Sequence, residues 1–159
     1  LGLNIYSGMY FEPADDETGF RKVEFPEHYP MVRDLDWMRF VPQSLYWAVR
    51  HAHTRYGCQS IYITENGYAT DSMRDEASLC NDLDRILALR CYLRELHHAV
   101  SEGVPVHGYF HWSLMDHFEW IYGYTKGLGL YHHNRVTGER RPKRSVEWYK
   151  TVIRENAVV

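Results

Sequence analysis

The sequence predicts an α/β fold in which parallel strands alternate with helices. Three apolar strand segments are each followed, after a loop, by a helical pattern of apolar residues. The unit recurs roughly every 50 residues, and this alternation implies right-handed crossovers between parallel strands. Three units are too few for a closed barrel and fewer than a doubly wound sheet usually has. Since a (β/α)8 barrel takes about 250 residues or more, 159 residues match three-eighths of a large one.

The first unit begins with a strand over residues 1–6. A polar stretch over residues 7–39 follows, with three prolines and an acidic run, and predicts a long loop. Loops of this length in compact domains are typically functional. A helix is predicted over residues 42–56, because Pro42 suits a first helical turn and Gly57 is typical of a helix end.

The second unit has a strand over residues 60–64 and a polar loop over residues 71–79. A long helix is predicted over residues 82–102, where leucine, isoleucine and valine recur at helical spacing before Gly103.

The third unit has a strand over residues 106–112 and a loop over residues 113–141 that is rich in glycine and aromatic residues. A last helix is predicted over residues 145–155. Lys143 and Arg144 are expected to lie on its solvated start.

Composition argues against several classes of partner. The net charge of −3 argues against nucleic acid or an anionic membrane surface as the main partner. The sequence has no run of about 18 apolar residues that would predict a membrane span. The 3 cysteines are odd in number and show no CxxC spacing, which favours a reducing compartment and a cytoplasmic location over a disulfide framework.

The chain begins Leu-Gly-Leu-Asn-Ile-Tyr, within a predicted core strand. We therefore expect it to be the C-terminal portion of a longer protein, so that any N-terminal targeting signal would not be observable here.

The most informative residue is Glu65. It ends the second predicted strand and is followed at once by Asn66 and Gly67, which predict a turn. A carboxylate at the exit of an apolar strand costs free energy unless it is hydrogen-bonded or used in chemistry. The carboxyl ends of barrel strands are where active sites lie. The alternative is a carboxylate that caps a helix or pairs with an arginine.

Two further groups could accompany Glu65. Asn4 and Tyr6 lie two residues apart on the first strand and should face the same side, where a tyrosine hydroxyl could donate to a carboxylate and favour its ionised form. Glu119 and Trp120 follow a strand that ends at Trp112. A carboxylate beside an indole suits a sugar, although the same residues could be a plug at a barrel rim.

Metal and nucleotide chemistry have little support. The 10 histidines include no HExxH pattern, and neither GxGxxG nor GxxxxGK[ST] occurs. We therefore expect surface or hydrogen-bonded histidines, no metal and no cofactor.

These motifs together resemble glycoside hydrolase family 1, the β-glucosidase family, over nearly the whole chain. Residues 63–67 match the nucleophile motif of that family, and residues 112–120 match its segment ending in Phe-Glu-Trp. Residues 3–7 resemble its sixth-strand motif, and residues 137–149 also fit.

The resemblance implies a (β/α)8 TIM barrel of which this chain is about the last three strand–helix units, strands six to eight. Residues 1–159 would be the C-terminal portion of a single catalytic domain whose N-terminal portion is absent from this sequence. Glu65 would be the catalytic nucleophile, and Tyr6 would orient it. The substrate-binding residues that the resemblance implies are Asn4, Trp112, Glu119, Trp120 and, near the aglycone entrance, Trp37.

The implied function is a retaining β-glycosidase that removes terminal β-D-glycosyl residues through a covalent intermediate, with no cofactor. Retaining hydrolysis needs a second carboxyl group. The family takes it from an Asn-Glu-Pro motif, which does not occur here. We therefore expect the acid/base residue in the remainder of the barrel, and little activity from the isolated chain.

Several departures from the family pattern concern substrate preference. His117 stands where asparagine is usual, Gly127-Leu128 replaces a common Arg-Phe, and residues 132–134 replace the usual Val-Asp region. Open alternatives are a 6-phospho-β-glycosidase, a thioglucosidase, and a non-catalytic sugar-binding or assembly fragment. Expected partners are a β-glucoside or oligosaccharide, the remainder of the barrel and, as a further possibility, a second copy of the chain.

Overall fold

The computed structural model describes residues 1–32, 35–71, 78 and 80–159. Strands and helices alternate along the chain, and short hairpins lie in the loops. In chain order, the elements are β1 (Gly2–Asn4), β2 (Tyr10–Pro13), β3 (Phe20–Val23), α1 (Gln43–Tyr56), β4 (Ile61–Asn66), β5 (Thr70–Asp71), α2 (Leu83–Ser101), β6 (Val106–His111), a 3-10 turn (Trp120–Tyr122), β7 (Lys126–Gly127), β8 (Tyr131–His133), β9 (Arg140–Pro142) and α3 (Arg144–Glu155).

A three-stranded parallel sheet lies at the centre, in the order β1-β4-β6. This confirms the parallel pairing that the alternation predicted. In β4, Ile61 and Ile63 are fully buried whereas Tyr62 and Thr64 are exposed, so the two faces of the strand differ. The carboxyl ends of all three strands therefore meet at one edge, next to Glu65.

The helices cover one face of this sheet. In α1 the apolar spacing of Leu45, Val49 and Ala52 buries one stripe, and the helix ends at Gly57, whose φ of 66° suits glycine. The helix α2 buries Leu89, Leu96 and other residues of one face. Leu45, Val49, Ala52 and Leu96 join Ile61 and Ile63 in one hydrophobic core. Burial of each such side chain stabilises the fold by about 1.5–3 kcal/mol.

Both long stretches that were predicted to be loops contain strands. Within residues 7–39, β2 and β3 form an antiparallel hairpin in which Phe11 and Phe20 pack edge to face with ring centroids 5.4 Å apart. Its turn is closed by Asp16, whose Oδ1 accepts from the backbone nitrogens of Thr18 and Gly19. Within residues 113–141 lie the 3-10 turn, β7 and β8. The sequence did not predict this pairing, because these strands are too short to show a clear alternation of apolar and polar residues.

The predicted loop over residues 71–79 falls mostly outside the described residues. Cys58, Cys80 and Cys91 are free thiols. Among the described residues, no helix has the length and apolar character that crossing a bilayer requires.

Candidate functional site

The ends of β1 and β4 bring Tyr6 and Glu65 together. The Tyr6 hydroxyl donates to Glu65 Oε2 at 2.9 Å, and the Ile5 nitrogen donates to the Glu65 carbonyl at 2.9 Å. Burial, followed by this hydrogen bond, raises the pKa of Tyr6 well above its usual value. The phenol therefore keeps its proton and remains a donor to the carboxylate.

The helix α2 supports Tyr6 from behind. The fully buried Tyr92 donates its hydroxyl to the Tyr6 carbonyl at 2.8 Å and accepts from the Val41 nitrogen at 3.3 Å. The ring of Trp37 packs edge to face on Tyr6, with centroids 6.0 Å apart. The sequence analysis did not single out Tyr92, because its contact with Tyr6 joins residues 86 positions apart.

Asn66 lies in a strand rather than in the predicted turn. It is the last residue of β4, is fully buried and pairs in register with His111 of β6. Its side-chain nitrogen donates to the Ile5 carbonyl at 2.9 Å, and its Oδ1 accepts from the Tyr109 hydroxyl at 2.7 Å. Asn66 therefore ties the strand ends on both sides of Glu65 together.

A cleft of about 550 Å³ opens in front of Glu65. Six of the seven residues predicted for the site line it, together with four more residues from the same loops. The lining comprises Tyr6, Leu35, Trp37, Glu65, Trp112, Glu119, Trp120, Ile121, Tyr122 and Leu128.

Asn4 is the predicted site residue that does not line this cleft. It pairs in register with Glu65, but its Oδ1 accepts from the Thr64 hydroxyl at 2.6 Å. The register shifts between Leu3 and Asn4, so the strand does not continue evenly to Tyr6.

The loop after β6 supplies another part of the cleft wall. Trp112 is 36% exposed, and its main-chain nitrogen donates to the Asn66 carbonyl at 2.8 Å. The peptide bond between Trp112 and Ser113 is cis. Glu119 has a side chain only 16% exposed, whereas Trp120, in the 3-10 turn, is 83% exposed. The cleft thus combines two carboxylates with several aromatic faces, an arrangement that can accept hydroxyl hydrogen bonds and cover an apolar ring face.

Two loops are joined beside the cleft. The Tyr122 hydroxyl donates to Asp36 Oδ1, and Tyr122 and Glu119 are linked through the Tyr122 nitrogen and the Glu119 carbonyl at 2.8 Å. Neither Asp36 nor Tyr122 was predicted for the site, because their sequence separation gives no local signal of the contact.

A buried ion-pair network anchors the loop that follows β6 (residues 112–128), here called the cleft loop. Arg85 is fully buried and donates to the carbonyls of Leu128 at 2.5 Å and Gly127 at 2.6 Å. Its Nε lies 3.0 Å from Oδ2 of the buried Asp82, which also accepts from the Ser145 hydroxyl at 2.6 Å. Burial lowers the pKa of Arg85, and the nearby Asp82 opposes that shift.

Lys143 belongs to the same network, so its predicted place on a solvated helix start was wrong. It is 2% exposed, and its Nζ donates to Asp116 Oδ1 at 2.7 Å. Asp116 Oδ1 also accepts from the Gly129 nitrogen, and Oδ2 lies 3.3 Å from His132 Nδ1. Burial, followed by the charge of Arg85, lowers the pKa of Lys143 to about 8. Arg144 is exposed, as expected.

The described part of the chain offers no group of three or more His, Cys, Asp or Glu side chains that could hold a metal ion.

Comparison with known proteins gives a consistent result. The family model described as "Glycosyl hydrolase family 1" matches residues 1–158. The 1,4-beta-D-glucan glucohydrolase of Thermotoga neapolitana is 37% identical over 158 residues, which are 99% of this chain and 35% of that protein. A protein of Oryza sativa subsp. japonica named "Probable inactive beta-glucosidase 14" is 45% identical over 115 residues, 71% of this chain and 22% of that protein.

Solved structures agree with these relatives. The β-glucosidase from Thermotoga maritima in complex with azafagomine superposes with a TM-score of 0.84 at 35% identity, over 99% of this chain and 35% of that chain. The chain thus spans about a third of the length of the proteins that it matches.

Proposed function

The chain belongs to glycosyl hydrolase family 1, and from this premise we propose that it supplies the nucleophile and part of the sugar subsite of a retaining β-glycosidase. The substrates would be terminal non-reducing β-D-glycosyl residues, as in β-glucosides. The observation that carries the proposal is the Glu65 carboxylate, which accepts from Tyr6 at 2.9 Å inside a cleft that also contains Glu119 and Trp112.

In the first step, a Glu65 oxygen attacks the anomeric carbon and the bond to the leaving oxygen breaks. The leaving oxygen takes a proton from a second carboxylic acid. In the second step, that carboxylate removes a proton from water, whose oxygen attacks the same carbon and releases the sugar and Glu65. Tyr6 keeps one Glu65 oxygen hydrogen-bonded and so fixes the direction of the other.

The sugar would lie between Trp112, Trp120 and Glu119. The indole faces cover C–H groups of the pyranose, and the Glu119 carboxylate accepts hydrogen bonds from its hydroxyls. Trp37 packs on Tyr6 and would border the leaving group. Asn4 would reach the sugar only if its side chain left Thr64.

The second carboxylic acid is proposed to lie outside this chain. We propose that residues 1–159 are strands six to eight of a single (β/α)8 domain, and that the remainder of the barrel carries the acid/base residue about 5–5.5 Å from Glu65. The chain length supports this proposal, since it covers 35% of a relative.

The test is Glu65→Ala in the full-length protein. Turnover of an aryl β-glucoside should fall by about 10⁴-fold or more, because no covalent intermediate can form. Added azide should restore part of the rate and yield the α-glycosyl azide, the opposite anomer. The exposed Glu155 provides a matched control, since Glu155→Ala should keep full activity. Unchanged turnover in Glu65→Ala would reject the nucleophile assignment.

A non-catalytic sugar-binding protein is the second candidate, and the rice relative that carries "inactive" in its name is the observation that favours it. Calorimetric binding of glucose without turnover by the full-length protein would support this candidate.

A phosphorylated sugar fits the cleft less well than a plain sugar, because the described residues that line the cleft include two carboxylates and neither lysine nor arginine. Competition between plain and 6-phosphorylated aryl glucosides would show which of the two substrates the full-length protein prefers.

A further inference from the structure

His117 lies between the two groups proposed to hold the sugar. Its ring packs edge to face on Trp112, with centroids 5.2 Å apart and planes at 74°. Its Nδ1 lies 3.7 Å from Glu119 Oε2 and donates to the Phe118 carbonyl at 2.8 Å. One side chain thus contacts the proposed platform, the proposed carboxylate and the main chain between them.

Glu119 has few other restraints. Its main chain is fixed by hydrogen bonds to Gly123 and Tyr122, and Oε2 of its carboxylate lies 3.7 Å from His117 Nδ1. A long glutamate side chain loses rotamer freedom only where a neighbour limits it. The side chain of Glu119 is only 16% exposed, and the neighbouring His117 ring limits the space open to its carboxylate.

Trp112 is restrained in a similar way. Its main-chain nitrogen donates to the Asn66 carbonyl, the residue is 36% exposed, and its indole packs on the His117 ring. Edge-to-face packing fixes a preferred ring angle. The position of the indole and that of the Glu119 carboxylate therefore depend on the same imidazole.

Resting on the proposed function above, we propose that His117 is a positioning residue that sets the separation of Trp112 and Glu119, and thereby the sugar epimers that the cleft accepts. A pyranose whose ring lies on the indole presents its hydroxyls at fixed directions. A shift of the carboxylate relative to the indole changes which hydroxyl it can bond, and a misplacement of about 1 Å can cost 100-fold in rate.

Three variants of the full-length protein separate the contacts. His117→Asn keeps a donor near the Phe118 carbonyl but has no ring to pack on Trp112. His117→Phe keeps a ring but loses both ring nitrogens and so the donor. His117→Ala removes both. The matched control is His97→Asn, at an exposed position of α2 that does not line the cleft.

The readout is discrimination among 4-nitrophenyl β-glycosides of glucose, its C4 epimer galactose and its C2 epimer mannose. His117→Ala should lower kcat/KM for the preferred sugar by about 10-fold to 100-fold. The ratio of kcat/KM between epimers should change as well, with smaller changes in His117→Asn and His117→Phe. The control should match the wild-type ratios.

Unchanged epimer ratios in all three variants would overturn the inference, even if total activity fell, because loss of folded enzyme lowers all substrates alike. Calorimetric binding of glucose, galactose and mannose to the wild type and to His117→Ala gives a second measure. If no β-glycoside were hydrolysed, the proposed function would fail. The effect of His117→Ala on the binding preference would still decide the role of His117.

Discussion

The Tyr6 hydroxyl donates a 2.9 Å hydrogen bond to Glu65 Oε2 across two neighbouring parallel strands, although the residues are 59 positions apart. Tyr6 is itself held by Tyr92, whose hydroxyl bonds to its carbonyl, and by packing on Trp37. Because its pKa is raised by burial, the phenol stays protonated wherever the enzyme would work. The carboxylate therefore has a permanent donor on one oxygen.

We expect Tyr6→Phe to lower kcat of the full-length protein by about 10-fold to 100-fold, with a smaller change in KM. The variant loses a hydrogen bond to a charged group, and the freed carboxylate can rotate away from the attacking direction. Steady-state hydrolysis of an aryl β-glucoside measures both constants. Tyr56→Phe, at a tyrosine that is 80% exposed, should behave like the wild type. A kcat of Tyr6→Phe within twofold of the control would contradict an orienting role.

Gly67 is required because the main chain after Glu65 runs close to the third strand. A Cβ at this position would lie 2.0 Å from the Trp112 carbonyl oxygen and 3.1 Å from its carbon. These are backbone atoms and cannot rotate away. Gly67→Ala should therefore push Trp112 from the cleft and lower the free energy of unfolding by about 1–3 kcal/mol.

The urea midpoint and the KM for an aryl β-glucoside measure these two effects of Gly67→Ala. Gly8→Ala is the comparison, since its Cβ would lie 3.2 Å from a Val41 methyl group that can shift. Equal stability and equal KM in the two variants would show that the close approach at Gly67 does not matter.

The sequence predicted those features that have a local cause. Strand and helix periodicity predicted β4 and α2, and the position of Glu65 at a strand end predicted its place at the edge of the sheet. The resemblance added Trp37 and the proposed roles of the site residues, whereas Leu35, Ile121 and Tyr122 of the cleft lining were not predicted. Features that depend on distant partners were not predicted: the burial of Lys143 requires Asp116, 27 residues away, and a lysine before a helix is usually solvated.

Arg85 should contribute strongly to stability through the carbonyls that it satisfies. Arg85→Met removes the guanidinium, so the buried Asp82 loses its cationic partner and the carbonyls of Gly127 and Leu128 each lose a charged donor. An uncompensated buried charge of this kind costs about 3–5 kcal/mol in the free energy of unfolding. Arg94→Met, at an exposed position on the same helix, should change it by less than about 0.5 kcal/mol. Urea unfolding compares the two variants; equal midpoints would exclude this role for Arg85.

Lys143 should make stability depend on pH in an unusual direction. Its pKa is lowered from 10.5 to about 8 by burial and by Arg85, so the folded protein releases this proton before the unfolded chain does. Between these values the unfolded chain binds the extra proton, and the free energy of unfolding therefore rises with pH. The gain is fully present above pH 10.5 and is lost as the pH falls through 8.

Lys143→Met should lack this slope. The stability of the wild type relative to Lys143→Met should rise by about 2 kcal/mol between pH 8 and pH 10, at up to about 1.4 kcal/mol per pH unit. The upper limit of the window is set by tyrosines such as Tyr92, whose pKa burial raises in the folded protein, since the ionisation of these tyrosines in the unfolded chain lowers stability above about pH 10. Urea unfolding at several pH values measures the difference. Lys22→Met, at an exposed lysine of β3, should run parallel to the wild type, and parallel curves for Lys143→Met as well would mean that Lys143 stays protonated throughout.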